Sequence, residues 1–144
     1  MNWAIEGQNF IPALSVLQPW ASALVAVGDD RKDVENRTWV PAQALMGRRI
    51  AIHASKRQDS RQFADYRALV KVLGADPLGL ETAVEGLPFG AVIGVVTLAE
   101  IIKPGQARPR GVSGWYAPGC IGLVMTEPIL LPEPVPCQGA LNFW

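Results

Sequence analysis

Short apolar stretches that change period punctuate this 144-residue chain. Ala13 to Leu17 reads as a short strand. Gln18-Pro19-Trp20 then opens a helix, because proline suits the first turn, where its missing N–H is no loss. Ala21, Leu24 and Val25 share one face of that helix, and Gly28 supplies a left-handed stop. From Lys32 to Val40 the period drops to two, with Val34 and Asn36 on one side and Asp33, Glu35, Arg37 and Trp39 on the other. The side chains with most chemistry to offer therefore share a face. Arg49 to Ala54 is the next strand, and its imperfect alternation is that of a strand covered on both faces. Asp59 or Ser60 caps a helix that runs to about Leu73, with Phe63, Tyr66, Leu69, Val70 and Leu73 as its stripe and Gly74 as its stop.

The second half is plainer. Gly74 to Phe89 is rich in turn formers and acids and predicts a loop with at most one short helix. Gly90 to Ile102 carries the strongest strand signal in the chain. Lys103 to Gly119 is a Pro/Gly-rich loop holding Trp115 and Tyr116, long enough to be functional. Two strands follow, Cys120 to Thr126 and Ile129 to Leu131. The Pro132-Glu133-Pro134-Val135-Pro136 run then forces an extended path before Gln138 to Trp144 closes the chain. These elements predict an α+β protein, a small, partly open β-barrel of five to six strands with α-helices inserted early. One domain is expected over 1–144, with residues 1–10 a loosely ordered N-terminal extension.

Composition narrows the function classes. No apolar run reaches the roughly 18 to 20 residues of a membrane helix, and the first residues lack the layout of a signal peptide, so a cytoplasmic protein with no membrane partner is expected. Two cysteines, Cys120 and Cys137, and a single histidine, His53, are too few for a structural zinc site, and the cysteines are expected as buried reduced thiols. No metal or cofactor is expected. Net charge is zero, which argues against coating nucleic acid by bulk electrostatics. The charge is unevenly spread, however: residues 31–71 hold ten basic and four acidic side chains, so the molecule can present one positive face.

Several passages resemble a known family. Leu14-Ser15-Val16-Leu17-Gln18-Pro19-Trp20-Ala21-Ser22, then Gly28, then Lys32-Asp33-Val34-Glu35-Asn36-Arg37-Thr38-Trp39 is similar to the signature of the activating signal cointegrator homology (ASCH) domains of the PUA-like superfamily. Gly47 to Lys56, Phe89 to Val96 and the closing Leu-Pro-Glu-Pro-Val-Pro-Cys-Gln-Gly run from Leu131 to Gly139 look like ASCH segments in the same order. One departure is the Asp29-Asp30-Arg31 insertion, which lengthens the spacing between Gly28 and Lys32 by two residues. The resemblance implies a PUA-like β-barrel. It also implies that the helix start, the Lys-x-x-Glu-x-Arg strand and the segment around His53 line one cleft. RNA or a nucleotide is then the expected partner, with DNA as an alternative.

The candidate ligand-binding residues are Gln18, Trp20, Ser22, Lys32, Glu35, Arg37, Trp39, His53, Ser55 and Lys56. Lys32, Arg37 and Lys56 suit phosphates, Trp20, Trp39 and Trp115 suit base stacking, and Gln18 and Asn36 suit a base edge. Ser55, Lys56 and the first amides of the next helix suit an anion. Each has a plainer reading beside it. The tryptophans serve equally as core, Lys32, Glu35 and Arg37 serve as mutual partners, and His53 serves as a buried residue bonded to backbone. The alternative to binding is catalysis with Lys32, Glu35 and His53, either on N4-acetylcytidine or as a ribonuclease. Relatives with that amidohydrolase activity carry a threonine where this chain has Glu35. A third class is a protein interaction module acting through the arm from Glu127 to Pro136.

Overall fold

The computed structural model describes residues 11–79, 86–106 and 114–144. Its elements are β1 (Ala13–Val16), α1 (Trp20–Val25), β2 (Val34–Arg37), a 3-10 turn at Gln43–Leu45, β3 (Arg49–Ala54), α2 (Ser60–Leu73), β4 (Ala91–Ile102) and β5 (Ile121–Pro136). The strands form one sheet in the order β1-β3-β4-β5-β2, with β1 parallel to β3 and every other pair antiparallel. The protein is thus α+β, a five-stranded half-barrel with two helices among the described residues. The edge strands β1 and β2 meet across the open seam, where Arg37 Nη2 donates to the Ser15 carbonyl at 2.9 Å. Gly94 has no room for a side chain, since a Cβ there would sit 2.6 Å from Val25 Cγ1 and 2.7 Å from the Ile129 carbonyl. Glycine lets α1 and β5 close onto both sides of β4.

Leu14, Leu24, Ile50, Ile52, Leu98, Leu123 and Met125, all without measurable exposure, fill the inside of the curl. A second cluster, with Tyr66, Val70, Trp115 and Val34, joins α2 to the outside of α1 and to β2. Tyr66 Oη donates to Asp76 Oδ1 at 2.6 Å and accepts from the Leu78 amide. Burial, with the Asp76 carboxylate beside it, pushes this phenol above its ordinary value.

The expected helix over residues 60–73 is present with its signals in place. Asp59 Oδ1 accepts from the Arg61 amide at 3.0 Å, and Gly74 adopts φ 68° at the other end. A bond from Arg57 and the Arg61 amide hold the Asp59 carboxyl down at about 2, against an ordinary value of 3.8. A depressed folded value stabilises above the unfolded value and loses that contribution as pH falls through the folded one. Asp59→Asn keeps a cap acceptor without the charge, so its thermal midpoint should fall less steeply than wild type between pH 4 and pH 2. Equal slopes in the two proteins would remove Asp59 as a source of acid sensitivity.

Three expectations are corrected. First, Cys120–Thr126, Ile129–Leu131 and the proline run are one strand, β5, paired with β4 from Gly122 opposite Ile102 to Pro136 opposite Ala91. The apparent break at Glu127, which has φ 51°, is a bulge. The prolines are tolerated because β2 accompanies only Ile121 to Val124, so beyond it one side of β5 needs no N–H donors. Second, α1 ends at Val25 on an extended Ala26, and Gly28, at φ 124°, shapes the turn towards β2 instead of stopping the helix. Likewise β2 is Val34–Arg37, shorter than the alternation from Lys32 to Val40. Third, Cys137 is exposed and Cys120 half-buried, both as free thiols. The expectation for residues 1–10 lies outside the described residues, as do 80–85 and 107–113 of the two predicted loops. Among the described residues no helix is long and apolar enough to cross a membrane.

Candidate functional site

Across the seam between β1 and β2 lies a cleft of about 1310 Å³. Its floor is built by the Lys-x-x-Glu-x-Arg segment. Because Glu35 and Arg37 alternate on one face of β2, and Lys32 enters from the turn before it, all three converge. Lys32 Nζ donates to Glu35 Oε1 at 2.7 Å and also to the Val34 carbonyl. Arg37 Nε and Nη2 approach Glu35 Oε2 at 2.9 and 2.8 Å. Lys32 and Glu35 are buried, at 3% and 7% exposure. Burial alone would raise the Glu35 carboxyl, but Lys32 and Arg37 outweigh it and hold it below its ordinary value. Burial lowers the Lys32 ammonium from its ordinary value, and attraction to Glu35 offsets this only in part. One carboxylate between two cationic side chains leaves the floor electropositive.

The walls differ. On one side Trp20 is half-buried at the cleft edge, its Nε1 donating to Gln62 Oε1 of α2 at 2.8 Å. Trp115 lies behind it edge-on at 6.5 Å and stacks on Tyr66. Lys32 Nζ sits 5.8 Å from the Trp20 ring, within cation–π range. On the other side, beneath the segment 137–142, His53 is 2% exposed. Its Nδ1 meets Ser15 Oγ at 3.0 Å and its Nε2 meets the Cys137 carbonyl at 2.9 Å. Trp144 packs edge-on against the imidazole and donates from Nε1 to Ser15 Oγ at 3.1 Å. Ser55 and Lys56 stand at the rim between β3 and α2, Lys56 exposed.

Seven of the ten predicted ligand-binding residues line this cleft: Trp20, Lys32, Glu35, Arg37, His53, Ser55 and Lys56. Three do not. Gln18 is buried behind the helix start, its amide bonded to Ser22 and to the Pro88 carbonyl. Ser22 accepts from Gln18 at its hydroxyl, donates to Gln18 from its amide, and borders a smaller apolar pocket of about 380 Å³. Trp39, partly buried, packs edge-on against Phe143 at 5.7 Å at the edge of the inner core. Asn36 does line the cleft, but its amide is engaged by the Trp115 carbonyl and the Ala117 N–H, anchoring the loop that carries Trp115.

No protein-family model matches the chain, and no curated protein does.

The function of the site therefore rests on its geometry. Of the ten basic residues in 31–71, only Lys32, Arg37 and Lys56 reach the cleft. Arg31 is drawn instead to the Leu24 and Met125 carbonyls, with burial lowering its guanidinium from the ordinary value. Arg49 bonds Thr97 and the Glu127 carbonyl. The residue that sequence reasoning left out is Ser15, whose carbonyl takes Arg37 and whose hydroxyl takes His53. As a lone hydroxyl inside a four-residue apolar strand it carried a weak signal: it lies on the face of β1 opposite Leu14 and Val16.

Proposed function

We propose that this protein is an ASCH-type member of the PUA-like superfamily that holds RNA or a nucleotide in the seam cleft. The observation that carries the reading is the pairing of an electropositive floor with an aromatic wall in one groove. Lys32, Arg37 and rim Lys56 oppose anionic groups, and Trp20 offers a face for a base. The order of the sequence segments adds to it, since each of the five that resemble ASCH segments contributes residues to the lining of this groove. A cytoplasmic location belongs to the same reading.

Binding stands ahead of chemistry by Lys32, Glu35 and His53. Both Glu35 oxygens are engaged by cations, and both His53 ring nitrogens are bonded within the protein. A ribonuclease would need one of those nitrogens facing a 2′-hydroxyl. Action on N4-acetylcytidine would need Glu35 to leave Lys32 or Arg37.

Fluorescence anisotropy with a labelled single-stranded RNA tests the proposal. Wild type should bind, more weakly as salt rises. Trp20→Ala should weaken binding by about 1–3 kcal/mol, the range for loss of one base-stacking ring. Lys56→Ala should weaken it and flatten the salt dependence. Absence of binding to RNA and to mononucleotides alike would refute the reading.

A further inference from the structure

The His53 end of the cleft contains groups that the binding reading leaves without a role. A carbonyl oxygen only accepts, so the 2.9 Å contact to Cys137 O places the imidazole proton on Nε2. Nδ1 is then the basic nitrogen, and it faces Ser15 Oγ at 3.0 Å. A hydroxyl, a base within hydrogen-bond reach and a third group that fixes the tautomer of the base together form the arrangement of an activated nucleophile. Ser15 lines the cleft and is only partly buried.

The backbone opposite supplies a second, independent observation. A Cβ on Gly139 would lie 2.6 Å from Ser15 Oγ and 2.7 Å from His53 Cε1. The position is not in the positive-φ region that demands glycine, so its bareness answers to the space in front of it. Any side chain there would press on the hydroxyl and the imidazole together. The indole N–H of Trp144, 3.1 Å away, donates to the same oxygen and fixes its position beside the imidazole.

We infer that Ser15 is a nucleophile activated by His53, and that the cleft cleaves an ester or similarly activated acyl group carried by an anionic molecule. Ser15 Oγ bonds to the acyl carbon while its proton passes to His53 Nδ1. The bond from that carbon to the leaving oxygen breaks, and the leaving oxygen takes the proton from Nδ1. Water then attacks the acyl carbon, losing a proton to Nδ1; the bond from that carbon to Ser15 Oγ breaks, Oγ takes the proton back from Nδ1, and the free acid departs. Lys56 and Arg37 suit the anionic part of the substrate, and that part of the inference rests on the binding reading above. The covalent step does not.

Diisopropyl fluorophosphate provides the test, because its attack by serine requires the same base and no nucleotide. Intact-mass and tandem mass spectrometry of the folded wild-type protein should find one adduct, on Ser15, and none on protein unfolded in urea. His53→Gln should slow labelling by at least about 100-fold, the lower end of general-base effects. Gly139→Ala should also suppress it by filling the approach to Oγ. Circular dichroism on each variant establishes that it is folded. Wild-type protein that stays unlabelled at Ser15, or a folded His53→Gln that labels as fast as wild type, would overturn the inference. RNA binding with no labelling would refute the nucleophile alone, and labelling without RNA binding would refute the binding reading alone.

Discussion

Replacing Glu35 with alanine is expected to cost about 3–5 kcal/mol of unfolding free energy, the range found when one partner of a buried ion pair is removed. The size follows from what is left behind. Lys32, at 3% exposure, would keep the Val34 carbonyl, a tryptophan face and the weaker attraction of Asp33, with Arg37 nearby and no carboxylate between them. Urea titration read by circular dichroism measures the loss. Lys32→Met in the same chain should recover part of it, because the stranded charge is then gone, and the double-variant cycle should show strong coupling. The pH profile adds a check of sign. With its folded value depressed below 4.5, Glu35 contributes fully above that value and loses its contribution as pH falls through the lower one. Glu35→Ala should therefore lose stability less steeply in acid than wild type. A variant as stable as wild type would mean that the three side chains are well solvated and that the seam does not depend on them.

The second large effect is expected from Trp115→Ala, at about 3–5 kcal/mol, as for other large aromatic truncations in a core. Trp115 is 3% exposed and packs against Trp20 and Tyr66, so its removal opens the second hydrophobic cluster from the cleft side. Ligand affinity should fall with stability, since the backing of Trp20 is lost. Trp115→Phe should retain much of the stability, because a smaller ring still fills part of the volume. If Trp115→Ala unfolds at the wild-type urea midpoint, Trp115 is a wall of the cleft and not part of the core.

The two effects act on different parts of one construction. Arg37, held by Glu35, bridges the open side of the half-barrel by its hydrogen bond from β2 to the Ser15 carbonyl on β1. The aromatic cluster fastens α1 to α2 and to the loop after β4. The cleft lies where these two meet. Side chains that look like ligand-binding groups therefore also hold the edges of the sheet together, and a loss of binding in their variants has to be read beside a measurement of stability.

How far the sequence reached depended on whether a feature was local. Asp59 and Gly74 delimit α2 because a cap acts on amides two or three residues away, and β3 and β4 show in their own apolar content. The sharing of one face by Glu35 and Arg37 was legible too, as a consequence of the two-residue period. Tertiary structure decided what lay opposite. Whether the proline run is an arm or the end of a strand depended on its pairing with β4, and the end of α1 depended on a turn beyond it. Gln18, Ser22 and Trp39 carry the right chemistry for a ligand but turn away from the cleft to satisfy their own polar groups or fill the core. Ser15 meets His53 across 38 residues of chain and Arg37 across 22, while Asn36 holds the Trp115 carbonyl across 79. Periodicity states which way a side chain faces along its own element; only the packing of distant elements states what it meets there.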